Sequence, residues 1–349
     1  MLSIGLIGAG RIASVHARHI GENAGARIVA VTDPFAPGLA ALAAEHGARV
    51  ADSADAIIND DTIDAVIIAS STDTHCPLMI AAAKAGKFVY CEKPLASTIE
   101  EAHAAAIELG TASEKVMVGF NRRFDRNHAA VQTDLAAGRL GRVQTVQITS
   151  RGPNAIPNLD YLKVSGGLFF DKMIHFFDMV RWLTGEEPVD VVAFGSVIAD
   201  PVFAQANDID TGMVTLRMQS GALCQIENTR RAVYGYDDRI EVLGTGGLIE
   251  SSRITEGAVM RILDDKIMTE GLPKDPMIRM APSYKGSINA FVDFATGRLP
   301  RDKVPSVNDG LRAQVIAAAA TMSLRDARIV RCDEIARAAG MAEAGSVSR

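Results

Sequence analysis

A chain of 349 residues exceeds what one core usually organises, so two domains are the first expectation. A composition 48% hydrophobic and 22% charged excludes bulk disorder, and a net charge of −6 with a pI near 5.7 excludes the basic footprint of a nucleic-acid binder. No run of 18 apolar residues occurs, so no membrane span is expected. The opening Met1-Leu2-Ser3-Ile4-Gly5 lacks the basic region of a signal peptide. Cys76, Cys91, Cys224 and Cys332 show neither paired nor ligand-like spacing, which favours a reduced, cytoplasmic protein without a bound metal.

Leu2 to Ile7 is a short apolar run entering Gly8-Ala9-Gly10-Arg11-Ile12-Ala13, after which Val15 to Ile20 continues with helical spacing. Strand, glycine turn and helix in that order let backbone amides and the helix N-terminus meet a pyrophosphate, while small Ala13 permits close helix packing. A second strand, Arg27 to Asp33, ends in a carboxylate about 23 residues past Gly10, at the spacing expected for a ribose contact. Alternation then continues with a strand over 64–69, a helix over 76–85 and a strand over 87–91, which predicts a doubly wound parallel sheet. Ser70, Ser71, Thr72 and His75 form a polar strand-end loop and helix entry, able to cap the helix or touch a cofactor.

The strand over 87–91 runs into Glu92-Lys93-Pro94. Proline disfavours helix at Lys93 and makes a cis Lys93-Pro94 bond accessible, so backbone geometry fixes the ammonium at a strand end, where open α/β sheets bind ligands. A helix over 98–109 and a strand over 115–120 complete the first domain, placed at 1–121. Asn121-Arg122-Arg123-Phe124-Asp125 then serves as a hinge or as part of a cleft rim.

The rhythm changes in the second domain, 122–349. A helix over 126–137 precedes a strand over 142–150, and runs over 189–198, 211–218 and 223–230 are separated by turn signals such as Ser220-Gly221 and Gly244-Thr245-Gly246-Gly247. These predict a large, mostly antiparallel sheet in an α+β domain. The irregular Gly152-Pro153-Asn154-Ala155-Ile156-Pro157 and Gly166-Gly167 lead to a helix over 169–183 carrying Asp171, His175 and Asp178. Its remaining positions are nearly all apolar, so it is buried, and its few polar residues need partners or a task. Asp171 and His175, four apart, share a face, and an imidazole beside a carboxylate is a natural proton acceptor at neutral pH. Helices over 281–296 and 307–324 are expected to cover one face of the second sheet.

Taken together, the Gly8 to Ala13 fingerprint, Glu92-Lys93-Pro94, and Gly166-Gly167 before Asp171-Lys172-Met173-Ile174-His175 resemble the family of glucose-fructose oxidoreductase, inositol dehydrogenase and rhizopine-catabolism proteins over nearly the full length. Gly119 to Asp125, Phe170 to Leu183 and Tyr234-Gly235-Tyr236-Asp237 are most similar to its inositol dehydrogenase branch. The resemblance implies Lys93, Asp171 and His175 as the catalytic group, NAD as cofactor, a cyclic polyol as substrate and a homotetramer. It implies cofactor contacts at Gly8, Gly10, Arg11, Ile12, Asp33, Ser70, Ser71, Thr72, His75, Glu92, Lys93 and Arg122. Substrate contacts are expected from Lys93, Asn121, Arg122, Asn154, Asp171, His175 and Tyr234.

The implied reaction is oxidation of one secondary hydroxyl, with His175 as base, Asp171 as its support and Lys93 stabilising negative charge on oxygen. Two other readings stay open: a dehydrogenase of an aldose or anhydrosugar using the same residues, and a dinucleotide-sensing regulator on the same fold. Retention of all three catalytic residues argues against the regulator.

Overall fold

The computed structural model describes residues 1–153 and 158–341. These form two compact units. The first comprises Met1–Phe124, Ser283–Gln314 and Ala339–Met341, and the second holds Asp125–Pro282 and Val315–Ala338.

In the first unit, β1 (Leu2–Ile7), β2 (Ala26–Thr32), β3 (Arg49–Val50), β4 (Ala65–Ile68), β5 (Phe88–Cys91) and β6 (Val116–Val118) pair in the order β3-β2-β1-β4-β5-β6. Every pair is parallel. The cause lies in composition: β4 is apolar throughout, β1 carries Ser3 as its one polar side chain, and both are buried along their whole length, as strands covered on both faces must be. Strand order reverses between β1 and β4, and the crevice beyond the carboxyl ends there is where such sheets bind ligands. The helix Ile99–Leu109 is fixed at its start by a capping box between Thr98 and Glu101.

The helix Pro276–Ala295 does not belong wholly to the second sheet, because Ile288, Phe291, Val292 and Phe294 enter the core formed with Leu2, Ile4, Ala17 and Ile20. Fully buried Ile288 and Phe291 each contribute roughly 1.5–3 kcal/mol, enough to make this late segment a structural part of the first unit. Two consecutive domains meeting at residue 121 therefore describe the chain incompletely.

In the second unit, β7 (Val143–Arg151), β8 (Pro188–Ser196), β9 (Thr211–Met218), β10 (Leu223–Thr229), β11 (Asp237–Gly244) and β12 (Gly247–Ser251) form a large sheet that β15 (Val330–Arg331) completes; β13 (Met260–Leu263) and β14 (Lys266–Thr269) make a separate hairpin. The order is β12-β11-β7-β10-β9-β8-β15, antiparallel throughout except where β7 and β10 run parallel. Alternation explains its two faces: Gly212, Val214, Leu216 and Met218 of β9 point inward with Cys224, Ile226 and Asn228 of β10, while Met213 and Leu223 are exposed.

The expected helix over 169–183 is present in two parts. Phe169–Met173 is a π turn, and Ile174–Thr184 is an α-helix buried at every position except Trp182 and Thr184, ending at left-handed Gly185.

Candidate active site

Every site residue expected in the first unit lies beyond the carboxyl end of a strand. Gly8 to Ile12 follow β1, Asp33 follows β2, Ser70 to His75 follow β4, Glu92 and Lys93 follow β5, and Asn121 and Arg122 follow β6. Gly8 has φ +106°, and a Cβ there would lie 2.5 Å from the carbonyl oxygen of Ala69. Only glycine fits that turn. Gly10 stands immediately before the helix Arg11–Gly21, and a Cβ on it would meet nothing within 4 Å. The loop thus presents an open cradle at a helix N-terminus, where the first N–H groups, those of Arg11 and Ile12 included, lack partners within the helix. Ala13 is fully buried under the turn.

Asp33 is built into the same cradle. Its Oδ2 accepts from the Ala9 N–H at 2.8 Å, and its Oδ1 accepts from the Phe35 and Ala36 N–H groups at 2.8 and 2.9 Å. These bonds fix the carboxylate against the glycine loop and leave acceptor capacity on Oδ2 for a ribose hydroxyl.

Beyond β4, the Ser70 hydroxyl donates to Thr74 Oγ1 at 2.6 Å, and Thr74 donates to the Ser71 carbonyl at 2.7 Å. Ser71 precedes the helix Thr72–Lys84 without a side-chain cap bond. His75 is buried, with Nδ1 2.7 Å from the Pro94 carbonyl and Nε2 3.2 Å from that of Ser70. Burial lowers its pKa, against the two carbonyls, which favour the charged ring. His75 therefore ties the Lys93-Pro94 turn to the end of β4, and the Lys93-Pro94 bond is cis.

Glu92 is buried beside that turn. Its Oε1 lies 2.7 Å from His16 Nε2, and its Oε2 accepts from the Lys93 N–H at 3.2 Å. Burial pushes its carboxyl up, but His16 and Lys93 outweigh burial and hold it below the usual range. Half-buried Lys93 thus follows a residue pinned to the first helix. Asn121 is fully buried and donates to the Ser283 hydroxyl at 3.1 Å, and Arg122 is buried on the same 3₁₀ turn. The neighbouring Arg123 pairs with Asp309 at 3.1 Å.

In the second unit, Asp171 stands in the π turn. Its Oδ1 accepts from the Tyr161 hydroxyl at 2.8 Å and its Oδ2 from Arg230 Nη1 at 2.9 Å. Arg230 Nη2 reaches Asp208 at 3.1 Å. Buried His175 lies four residues on, in the first turn of the α-helix. Tyr234 is 43% exposed; its hydroxyl donates to Asp237 at 2.9 Å and accepts from Arg151 at 3.2 Å, while Arg151 is clamped by both oxygens of Glu227. A partly open tyrosine on a fixed ion pair suits contact with hydroxyls. Asn154 lies outside the described residues.

Comparison with known proteins identifies the family of both parts of the chain. Residues 2–120 match the oxidoreductase family with an NAD-binding Rossmann fold, and residues 128–250 match the GFO/IDH/MocA C-terminal domain. The chain is 42% identical over 324 residues to the inositol 2-dehydrogenase of Rhizobium meliloti (strain 1021), covering 93% of this chain and 97% of that protein. This chain belongs to the GFO/IDH/MocA oxidoreductase family. The myo-inositol 2-dehydrogenase of Thermotoga maritima is 39% identical over 338 residues, covering 96% of this chain and 99% of that protein. A crystal structure of scyllo-inositol dehydrogenase from Lactobacillus casei with bound NAD(H) and scyllo-inositol gives a TM-score of 0.87 at 27% identity, covering 95% of this chain and 99% of that one.

The residues present fit the family's dinucleotide. The opening above Gly10, the free amides at the helix start and the Asp33 carboxylate together form a site for a pyrophosphate and an unphosphorylated ribose. Among the described residues, no group of three or more His, Cys, Asp or Glu could hold a metal ion, and no helix is long and apolar enough to cross a membrane.

Several members of the site escaped the reading of the sequence. His16 could have been found: it falls on the stripe Ala13, His16, Ala17, Ile20, the buried face of the first helix, where a polar residue needs a partner. Tyr161, Asp208 and Arg230 carry no local signal.

Proposed function

We propose that this protein oxidises one secondary hydroxyl of an inositol, myo-inositol foremost, to the corresponding ketone with NAD. One combination carries the reading: a dinucleotide cradle and a fixed Lys93 in the first unit, and Asp171 with His175 on the buried helix of the second, in a chain 42% identical to an inositol 2-dehydrogenase. NAD, when bound, accepts the hydride released from the carbinol carbon. His175 takes the hydroxyl proton as neutral imidazole, Asp171 orients the ring and supports its charged form, and Lys93 stabilises negative charge on the oxygen. Asn121, Arg122 and Tyr234 are assigned to the substrate's other hydroxyls. Gly8, Gly10, Arg11, Ile12, Asp33, Ser70, Ser71 and Thr72 are assigned to the cofactor, with His75 and Glu92 shaping the turn that presents Lys93. Alignment of the C–H bond and the base in one geometry is worth several kcal/mol.

The test is a panel of inositols, aldoses and anhydrosugars assayed with NAD for absorbance of the reduced cofactor. The highest kcat/KM is expected with myo-inositol. A preference for an aldose moves the enzyme to another substrate class, and NADH binding without turnover of any polyol makes it a dinucleotide sensor.

Cofactor choice follows from Asp33, which accepts from ribose hydroxyls and repels a 2′-phosphate; Pro34 and Phe35 follow it, with no arginine to receive one. NAD is expected to give the higher kcat/KM, and Asp33→Ala to narrow its lead over NADP. Higher kcat/KM with NADP in the unmutated enzyme would refute the assignment.

We also place the enzyme in the cytoplasm as a homotetramer. None of the four cysteines is in a disulfide, and the outer face of the second sheet exposes Met213, Leu223 and Leu243. Light scattering that returns a monomer mass would exclude the tetramer.

A further inference from the structure

Asp171 is held from outside its own helix by a buried cation. We infer that Arg230 is a positioning residue for Asp171, and that Asp208 anchors Arg230 in turn; the inference rests on the reading of Asp171 as part of the catalytic group. The Arg230 side chain is only 2% exposed and is fixed on three sides. Nη1 donates to Asp171 at 2.9 Å, Nη2 donates to Asp208 at 3.1 Å, and the Phe203 ring lies 5.4 Å from its guanidinium carbon. Its backbone N–H donates to the Asp210 carbonyl at 2.9 Å, so the stem is fixed as well.

Asp208 is equally committed. Its Oδ1 accepts from the Leu168 N–H at 2.8 Å and from the Ile209 N–H at 2.7 Å, which joins it to the residue that opens the π turn. Gly167, at φ +78°, lets this happen, since a Cβ there would lie 2.9 Å from Asp208 Oδ1. The Gly166-Gly167 pair therefore has a physical reason: it admits the anchor that holds the arginine that holds Asp171.

Two carboxylates share one cation in a place almost closed to water. Burial already raises the carboxyl pKa of Asp208 despite Arg230, so removing the cation would leave two buried acids with a reason to protonate. With Arg230 in place, one Asp171 oxygen is fixed by a charged donor and the other by the Tyr161 hydroxyl, which sets the plane of the carboxylate. Stability alone does not account for such a cluster, because buried ion pairs are often no better than apolar replacements of the same volume. Setting the direction of a catalytic carboxylate does.

The test uses the full-length enzyme with NAD and myo-inositol. Arg230→Met is expected to lower kcat about 10²-fold, the usual consequence of misplacing a reacting group by an ångström, with the Kd for NADH unchanged. Arg230→Lys should restore part of the loss, and Asp208→Asn should show a smaller loss in the same direction. Because Arg230 acts through Asp171, Asp171→Asn combined with Arg230→Met should be no slower than Asp171→Asn alone. A wild-type kcat in Arg230→Met, or a double variant whose loss is the product of the two single losses, overturns the inference. If Arg230→Met does not fold, Asp208→Asn with and without Asp171→Asn applies the same criterion. A wild-type kcat in Asp171→Asn would instead overturn the catalytic reading of Asp171, and the inference with it.

Discussion

Replacing Lys93 with methionine is expected to lower kcat by about 10² to 10³ while leaving the Kd for NADH within a few-fold of the parent, the loss typical of removing one preorganised charge stabiliser. The separation of the two effects follows from how the turn is held. The Lys93 N–H is bound by Glu92, the Pro94 carbonyl is bound by His75, and Glu92 is bound in turn by His16. These hydrogen bonds come from the backbone and from Glu92, His75 and His16, so methionine keeps them while removing the ammonium, whose charge also favours ionised Glu92. The cradle formed by Gly8, Gly10 and Asp33 is likewise untouched. Steady-state rates at saturating NAD and myo-inositol, with NADH binding followed by fluorescence, separate the possibilities. Near wild-type kcat would remove Lys93 from the chemistry, and weakened NADH binding at unchanged kcat would make it a cofactor contact.

What the sequence disclosed, and what it withheld, divides along the range of the interactions. The glycine turn, Asp33 and the Glu92-Lys93-Pro94 strand end were legible because each is a short stretch whose chemistry depends on its immediate neighbours and on the strand before it. The antiparallel sheet was legible from turn residues, yet the parallel pairing of β7 with β10 was not, because those strands are brought together by the whole sheet. Periodicity likewise showed that the helix Pro276–Ala295 buries a face without showing that Ile288, Phe291 and Val292 bury it in the first unit. The clamp on Asp171 lay furthest out of reach. Its arginine is 59 residues from the aspartate and 22 from its anchor, and no spacing rule joins positions so separated. The π turn was also hidden, since an apolar run with two polar residues reads the same at either helical pitch.

For His175 the expected result is a pH profile in which kcat/KM for oxidation rises through a single ionisation and then levels, because only neutral imidazole accepts the hydroxyl proton. The sign follows from the base: below its pKa the ring is already protonated and turnover is lost, and above it the full rate is present. If Asp171 supports the charged ring as proposed, Asp171→Asn should move the rise to lower pH, while Arg230 keeps its pairing with Asp208. His175→Ala should flatten the acidic limb and reduce kcat by about 10² to 10⁴, the range for a positioned general base, with NADH binding retained. The competing assignment makes Lys93 the base and leaves His175 to hold the substrate. It predicts the opposite pattern, with the limb surviving in His175→Ala and vanishing in Lys93→Met, and profiles of both variants over the same pH range decide between the two.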